Sequence, residues 1–190
     1  MPALRQLVPA ARILIVMTVL LGLIYPAAMF AVGRLMPART DGSLVSVDGT
    51  VVGSSLLAQG FDTPEYLWPR PSVGGYDPLA SGGSNLGPNN ADLIQAVDER
   101  REVVALTNGV EPEAVPADAV TASASGLDPH ISPEYAALQV PRVARARGLS
   151  QQAVAEVVAA HTTGRALGFL GEPTVNVLEV NVELDLLGRG

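Results

Sequence analysis

The chain contains no cysteine and no lysine, and only two histidines. Without cysteine there is no disulfide framework, no thiolate metal site and no thiol nucleophile. Without lysine there is no Schiff-base chemistry and no P-loop cation. Aromatics are scarce at 4% although hydrophobic residues reach 48%, so the core must be built from Ala, Val, Leu and Ile. Acids are missing from the first 40 residues, and Asp41 is the first. Residues 34–190 then carry ten arginines against nineteen acids, a net charge of −9. An acidic domain repels phosphate backbones, and no basic stripe with interleaved aromatics occurs, which argues against nucleic-acid binding.

What is present first is a long apolar run. Residues 13–33, ILIVMTVLLGLIYPAAMFAVG, carry no charge over twenty-one positions. At 1.5 Å per residue such a helix rises about 30 Å, the thickness of a bilayer's hydrocarbon core. A signal peptide cleaved after Ala31-Val32-Gly33 and a buried core helix are the competing readings. The run is too long for a core helix, and a retained anchor is the reading favoured. Arg5 and Arg12 precede it and Arg34 and Arg39 follow it, so arginines alone do not orient it. The free amine and short tail favour residues 1–12 as a cytoplasmic tail, 13–33 as the membrane helix and 34–190 as an extracytoplasmic domain. Pro26, Gly22 and the pair Ala27 and Ala31 predict a kinked helix able to approach a neighbouring one closely.

The remainder reads as a single mixed helix/sheet domain of the α+β class. Val45 and Val47 alternate with polar residues, and Asp48-Gly49 suits a type I′ turn, predicting a hairpin over 43–53. Residues 60–90 are rich in Gly, Pro, Ser and Asn but hold Phe61, Tyr66, Trp68 and Tyr76, four of the chain's eight aromatics. That predicts an ordered loop packed by its own rings. Asn90 caps a helix that stops at Asn108-Gly109. Ser132 with Pro133 starts another that carries Pro141 and ends at Gly148, and Ser150 starts a third. Val180, Val182, Leu184 and Leu186 alternate with Asn181, Glu183 and Asp185, the period of a strand. The phase differs at Val175 and Val177, placing a bulge or strand break near Leu178.

Residues capable of chemistry are few. His130 follows Asp128-Pro129, and a Ser-His-Asp set can be written from Ser123 or Ser125, His130 and Asp118 or Asp128, giving an anchored or secreted hydrolase as the alternative function. No GxSxG elbow is present, and so many catalytic types in one loop rarely reach triad geometry. His161 shares a helix face with Val157 and reads as a core or interface histidine. SGGSNLG at 81–87 reads as a tight turn, with Ser84 before a left-handed Asn85. Leu149, Ser150, Gln151 and Gln152 faintly resemble the signature loop of ABC transporters and are the only nucleotide candidates, although Ser150 is explained as a helix cap.

Five segments are recognisable together: GSSLLAQGF at 53–61, RPS at 70–72, SGGSNLGPNN at 81–90, the run from Val115 to Ser150 that contains SASGLDPHISP, and GFLGEPTVNVLEVNVELD at 168–185. In this order, after a membrane segment, they resemble the C subunit of the Kdp potassium-transporting ATPase. The resemblance implies a non-catalytic subunit of an ATP-driven potassium importer in the inner (plasma) membrane. Its implied partners are a channel-like K⁺-binding subunit, a P-type ATPase subunit and a very small membrane subunit. ATP and K⁺ are handled by that complex, with no cofactor held by this chain, and the family's C subunit is described as a catalytic chaperone that raises ATP affinity. A domain outside the membrane cannot touch ATP, so the expectation is that it clamps the outer mouth of the channel-like subunit. Ser84, Asn85, Asp118, Ser123, Ser125, Asp128 and His130 are then structural or interface residues.

Overall fold

A computed structural model describes residues 2–188, with side chains from Arg5 onward. It divides into two compact units, Met1–Ser43 and Leu44–Gly190.

The first unit is helical. Helix α1 (Pro2–Val19) passes into a π-helical turn over Leu20–Ile24 and then into α2 (Tyr25–Gly33). The π turn has a local cause: Pro26 has no N–H to give the preceding turn, and the ladder shifts so that the Tyr25 N–H bonds the Leu20 carbonyl. The helix Arg5–Gly33 is long and apolar enough to cross a bilayer, and its side chains are exposed throughout the described part. A short helix, α3 (Pro37–Thr40), follows, with Thr40 Oγ1 bonded to the carbonyls of Met36 and Pro37.

The second unit begins with the expected hairpin, β1 (Leu44–Val47) and β2 (Thr50–Ser54), paired antiparallel with a bulge at Val45/Ser46. Asp48 and Gly49 both have positive φ, as a type I′ turn requires. The aromatic loop is ordered as its composition predicts. Phe61 and Tyr66 pack with ring centroids 5.2 Å apart, and Leu67 is fully buried. Asn90 caps α4 (Ala91–Asn108) through its side chain, and left-handed Gly109 closes it. A 3-10 turn at Pro112–Ala114 leads to α5 (Ala117–Val120) and β3 (His130–Ile131). Ser132 caps α6 (Pro133–Arg147), which continues through Pro141 to left-handed Gly148. Ser150 caps α7 (Gln151–Ala160), followed by β4 (Thr162–Thr163) and β5 (Thr174–Asn176).

The sheet is antiparallel with β5 between β3 and β4. Ile131, Val143, Val154 and Val175 meet in its core, each at most 2% exposed, against α6, α7 and the C-terminal helix.

That C-terminal helix corrects the sequence reading. Only Thr174–Asn176 is extended; Val177–Leu187 is helix α8. Asn176 is its cap, accepting from the Glu179 N–H at 3.1 Å. Of its buried residues, Val177, Val180, Asn181 and Leu184 follow the i, i+3, i+4, i+7 spacing of one helix face, with Leu178 beside them. The alternation from Val180 to Leu186 is incidental, and the phase change near Leu178 marks the strand-to-helix junction. The two geometries are separable by mutation. Leu184→Ala is expected to lower unfolding stability by about 2–5 kcal/mol, and Leu186→Ala, at a 44% exposed position, by no more than about 0.5 kcal/mol. Equal losses in denaturant titrations of the detergent-solubilised chain would restore the strand.

Candidate functional site

The segment SASGLDPHIS, between α5 and α6, is where distant parts of the domain converge. Its backbone joins four other segments. The Ser125 carbonyl accepts from the Gly82 N–H at 2.8 Å and from Ser81 Oγ at 3.0 Å, and the Ser123 N–H donates to the Pro71 carbonyl. The Leu127 carbonyl accepts from Ala58, and the Pro129 carbonyl from Val177 at the start of α8. Gly126 is needed where it stands. It has φ +69°, and a Cβ there would lie 3.0 Å from the Gly82 carbonyl oxygen and 3.2 Å from Ser72 Oγ.

The side chains complete the stitching. Asp118 directs both carboxylate oxygens at Ser132, accepting from its N–H at 2.7 Å and its hydroxyl at 2.9 Å, while Ser132 Oγ caps α6. Ser123 is 3% exposed, and Ser125 Oγ accepts from the Leu127 N–H. Asp128 accepts from the His130 N–H at 3.0 Å, lies 3.5 Å from His130 Nδ1, and pairs with Arg70 at 3.3 Å. Arg70 also reaches the Thr121 carbonyl, and its Nε is buried with no hydrogen-bond partner among the described residues. A depression of about 490 Å³, walled in part by Leu56, Leu57, Arg70 and Asp128, opens beside the loop.

Asp118, Ser123, Ser125, Asp128 and His130 thus share one loop system. Ser84 and Asn85 belong to the neighbouring turn, where Ser84 Oγ accepts from Leu86 and Asn85 is left-handed at φ +54°. Neither Ser123 nor Ser125 is hydrogen-bonded to His130, and Asp118 serves Ser132 instead, so the nucleophile–base pair drawn from these residues is not assembled. Leu149 packs partly buried against the core, Ser150 accepts from the Ala153 N–H as a cap, and Gln152 bonds Glu156 on the surface beside exposed Gln151. His161 closes α7, with Nδ1 3.7 Å from Glu179 of α8.

Sequence reasoning passed over the arginines. Arg70 lies between Pro69 and Pro71, a rigid setting for a charge that could have marked it. Arg142, in a run that looks like a solvated helix face, is 5% exposed and reaches the carbonyls of Pro64 and Tyr66. Arg147 bonds the Glu65 and Leu184 carbonyls and pairs with Asp185 at 2.8 Å.

The loop's electrostatics make a pH prediction. Burial raises the Asp128 pKa, but hydrogen bonds from the His130 side chain and N–H, with the charges of Arg70 and His130, outweigh it and leave the carboxyl below its ordinary value of 3.8. A carboxyl depressed in the folded state contributes stability above the unfolded pKa and loses it as pH falls through the folded one. Asp128→Asn is therefore expected to cost less than about 1 kcal/mol at neutral pH, the pair being partly solvated. The gap from wild type should close between about pH 5 and pH 2; a gap that widens on acidification contradicts the assignment.

Comparison with known proteins gives a uniform result. The family described as the c chain of K⁺-transporting ATPase, KdpC, matches residues 7–186. A potassium-transporting ATPase KdpC subunit from Kineococcus radiotolerans is 61% identical over 183 residues, covering 95% of this chain and 93% of that protein. Those from Sorangium cellulosum and Geobacter sulfurreducens are 52% and 50% identical, each covering 96% of this chain and 98% of the relative.

Proposed function

Because the chain belongs to the KdpC family of K⁺-transporting ATPase subunits, we propose that it is an assembly and coupling subunit whose soluble domain docks outside the membrane. It is not an enzyme by itself. The observation that carries the reading is the pairing of one membrane-length helix, Arg5–Gly33, with a domain whose polar loop residues are committed to internal bonds. Such a domain presents a fixed surface rather than a reactive centre.

In this reading the N-terminus is cytoplasmic, the membrane is the cell's inner membrane, and residues 34–190 lie outside. The domain clamps the outer mouth of a channel-like K⁺-binding subunit, and the helix braces the channel-like, P-type ATPase and small subunits. Ala27, Ala31 and Gly22 suit close helix contact, and the π turn at Leu20–Ile24 gives the helix an irregular face for a partner to satisfy. The acidic exterior raises the local K⁺ concentration near the conduction path. ATP lies on the other side, so any gain in nucleotide affinity passes through the membrane subunits as a coupling free energy.

A paired reporter after Gly190, alkaline phosphatase in one fusion and a fluorescent protein that folds only in the cytoplasm in the other, tests the topology. Phosphatase activity with a dark fluorescent fusion is expected. The reverse result places the domain with ATP, sinks the outer clamp and reopens direct contact through Leu149–Gln152.

A further inference from the structure

A second concavity, of about 380 Å³, lies between α4 and the aromatic loop. Phe61, Trp68, Tyr76 and Tyr135 contribute four rings to its walls, half of the chain's aromatics, and Val103 faces them from α4. The apolar surface does not stop at the wall. Val103 is 56% exposed, and Leu106, three residues along the helix, is 85% exposed. The domain therefore leaves an aromatic trough open and continues it with two uncovered aliphatic side chains.

The polar groups at the trough are few and directional. Tyr135 is 2% exposed and lines the trough. Burial raises its pKa, so it remains a neutral donor. Asp62 and Glu99 stand at the rim; Glu99 accepts from Gln95 Nε2 at 2.7 Å, and neither pairs with an arginine among the described residues. Arg100 stands at the same rim, with Nη1 on the Val120 carbonyl at 3.1 Å. The whole unit from Leu44 to Gly190 carries eight arginines against eighteen acids, a net charge of −10. Of those arginines, Arg70, Arg142, Arg147 and Arg165 are held by internal partners. An apolar floor, one tyrosine hydroxyl and a rim of two carboxylates against one guanidinium, on a unit of net charge −10, complement a segment that is apolar and basic together.

We propose that this trough receives an extended segment of another subunit of the same transporter, one that carries an aliphatic or aromatic anchor next to an arginine or lysine. The anchor fills the space between Trp68, Tyr76 and Val103, the basic group meets Asp62 and Glu99, and a backbone carbonyl accepts from the Tyr135 hydroxyl. This assignment rests on the docking role proposed above and names the surface that performs it.

Photocrosslinking in the intact membrane complex tests it. p-Benzoylphenylalanine is placed at Val103 in one full-length chain and, in another, at Leu56 beside the SASGLDPHIS loop. The Val103 probe is expected to capture another transporter subunit at a peptide with a basic residue within about two positions of an apolar one. Asp62→Asn with Glu99→Gln, both surface changes, should cut that yield about tenfold while leaving the Leu56 product unchanged. Capture from Leu56 alone overturns the trough assignment and leaves docking standing; capture from neither position overturns both. A Val103 product with lipid, with a peptide lacking a basic residue, or with a yield indifferent to the two carboxylates also overturns the assignment.

Discussion

The guanidinium of Arg142 lies inside the domain with no carboxylate bonded to it among the described residues. Its Nε donates to Asn108, one terminal nitrogen to the carbonyls of Pro64 and Tyr66, the other to Gln139, and its Cζ lies over the Trp68 ring, 4.5 Å from the centroid. Burial pulls its pKa down to about 10, so it keeps its proton at neutral pH. Carbonyl and amide dipoles take the place of a counter-ion, and a buried charge tolerates this only when nearly every N–H is matched. Because two of those acceptors are backbone atoms of the Pro-rich loop, the charge dictates the path of a segment that has no ladder of its own. The next residues are held the same way. Gln139 exchanges two hydrogen bonds with the Trp68 backbone, and Asn181 exchanges two with Leu67, as a neighbouring strand would. Three side chains of α6 and α8 thereby convert an irregular stretch into a fixed wall.

The rest of the proposed docking surface depends on that wall. Trp68 and Tyr76 shape the trough against α4, and Arg70 and Pro71 carry the chain to the SASGLDPHIS loop, where they meet Asp128 and Ser123. Displacing Arg142 therefore disturbs two surfaces that share no side chain with it except Trp68. Such coupling passes through continuous hydrogen bonding, with each element held in a single arrangement.

How much of this was legible depended on whether the signal was local. Helix caps at Asn90, Ser132 and Ser150 and the Asp48-Gly49 turn act over two to four residues, and the sequence predicts each at its observed position. The membrane-length helix is equally local in origin. The C-terminal segment failed because Val180, Leu184 and their polar neighbours satisfy both periods. What decided it was the Asn176 cap together with burial of Asn181 against Leu67, 114 residues away. The loop residues Asp118, Ser123, Ser125, Asp128 and His130 were found together, but their roles were not legible. Asp118 binds Ser132 rather than orienting His130, and Arg70 reaches Asp128 across 58 residues. Long-range satisfaction of polar groups leaves no periodic trace in sequence.

This internal commitment also limits how the domain can act on a distant site. A domain whose surfaces are fixed by buried bonds changes nothing by reacting, and little by flexing. In the proposed role it biases a transport cycle only by binding one conformation of its partners more tightly than another. On the proposed topology, a preference of about 1.4 kcal/mol at the outer face changes nucleotide affinity at most tenfold on the inner face, provided both sites report on the same conformational change. Preorganisation makes such a preference attainable, because a fixed surface loses little entropy on docking and distinguishes partner geometries sharply. A flexible Pro- and Gly-rich loop of the same composition would adapt to either conformation and discriminate neither, which is the physical reason for burying an arginine to hold it.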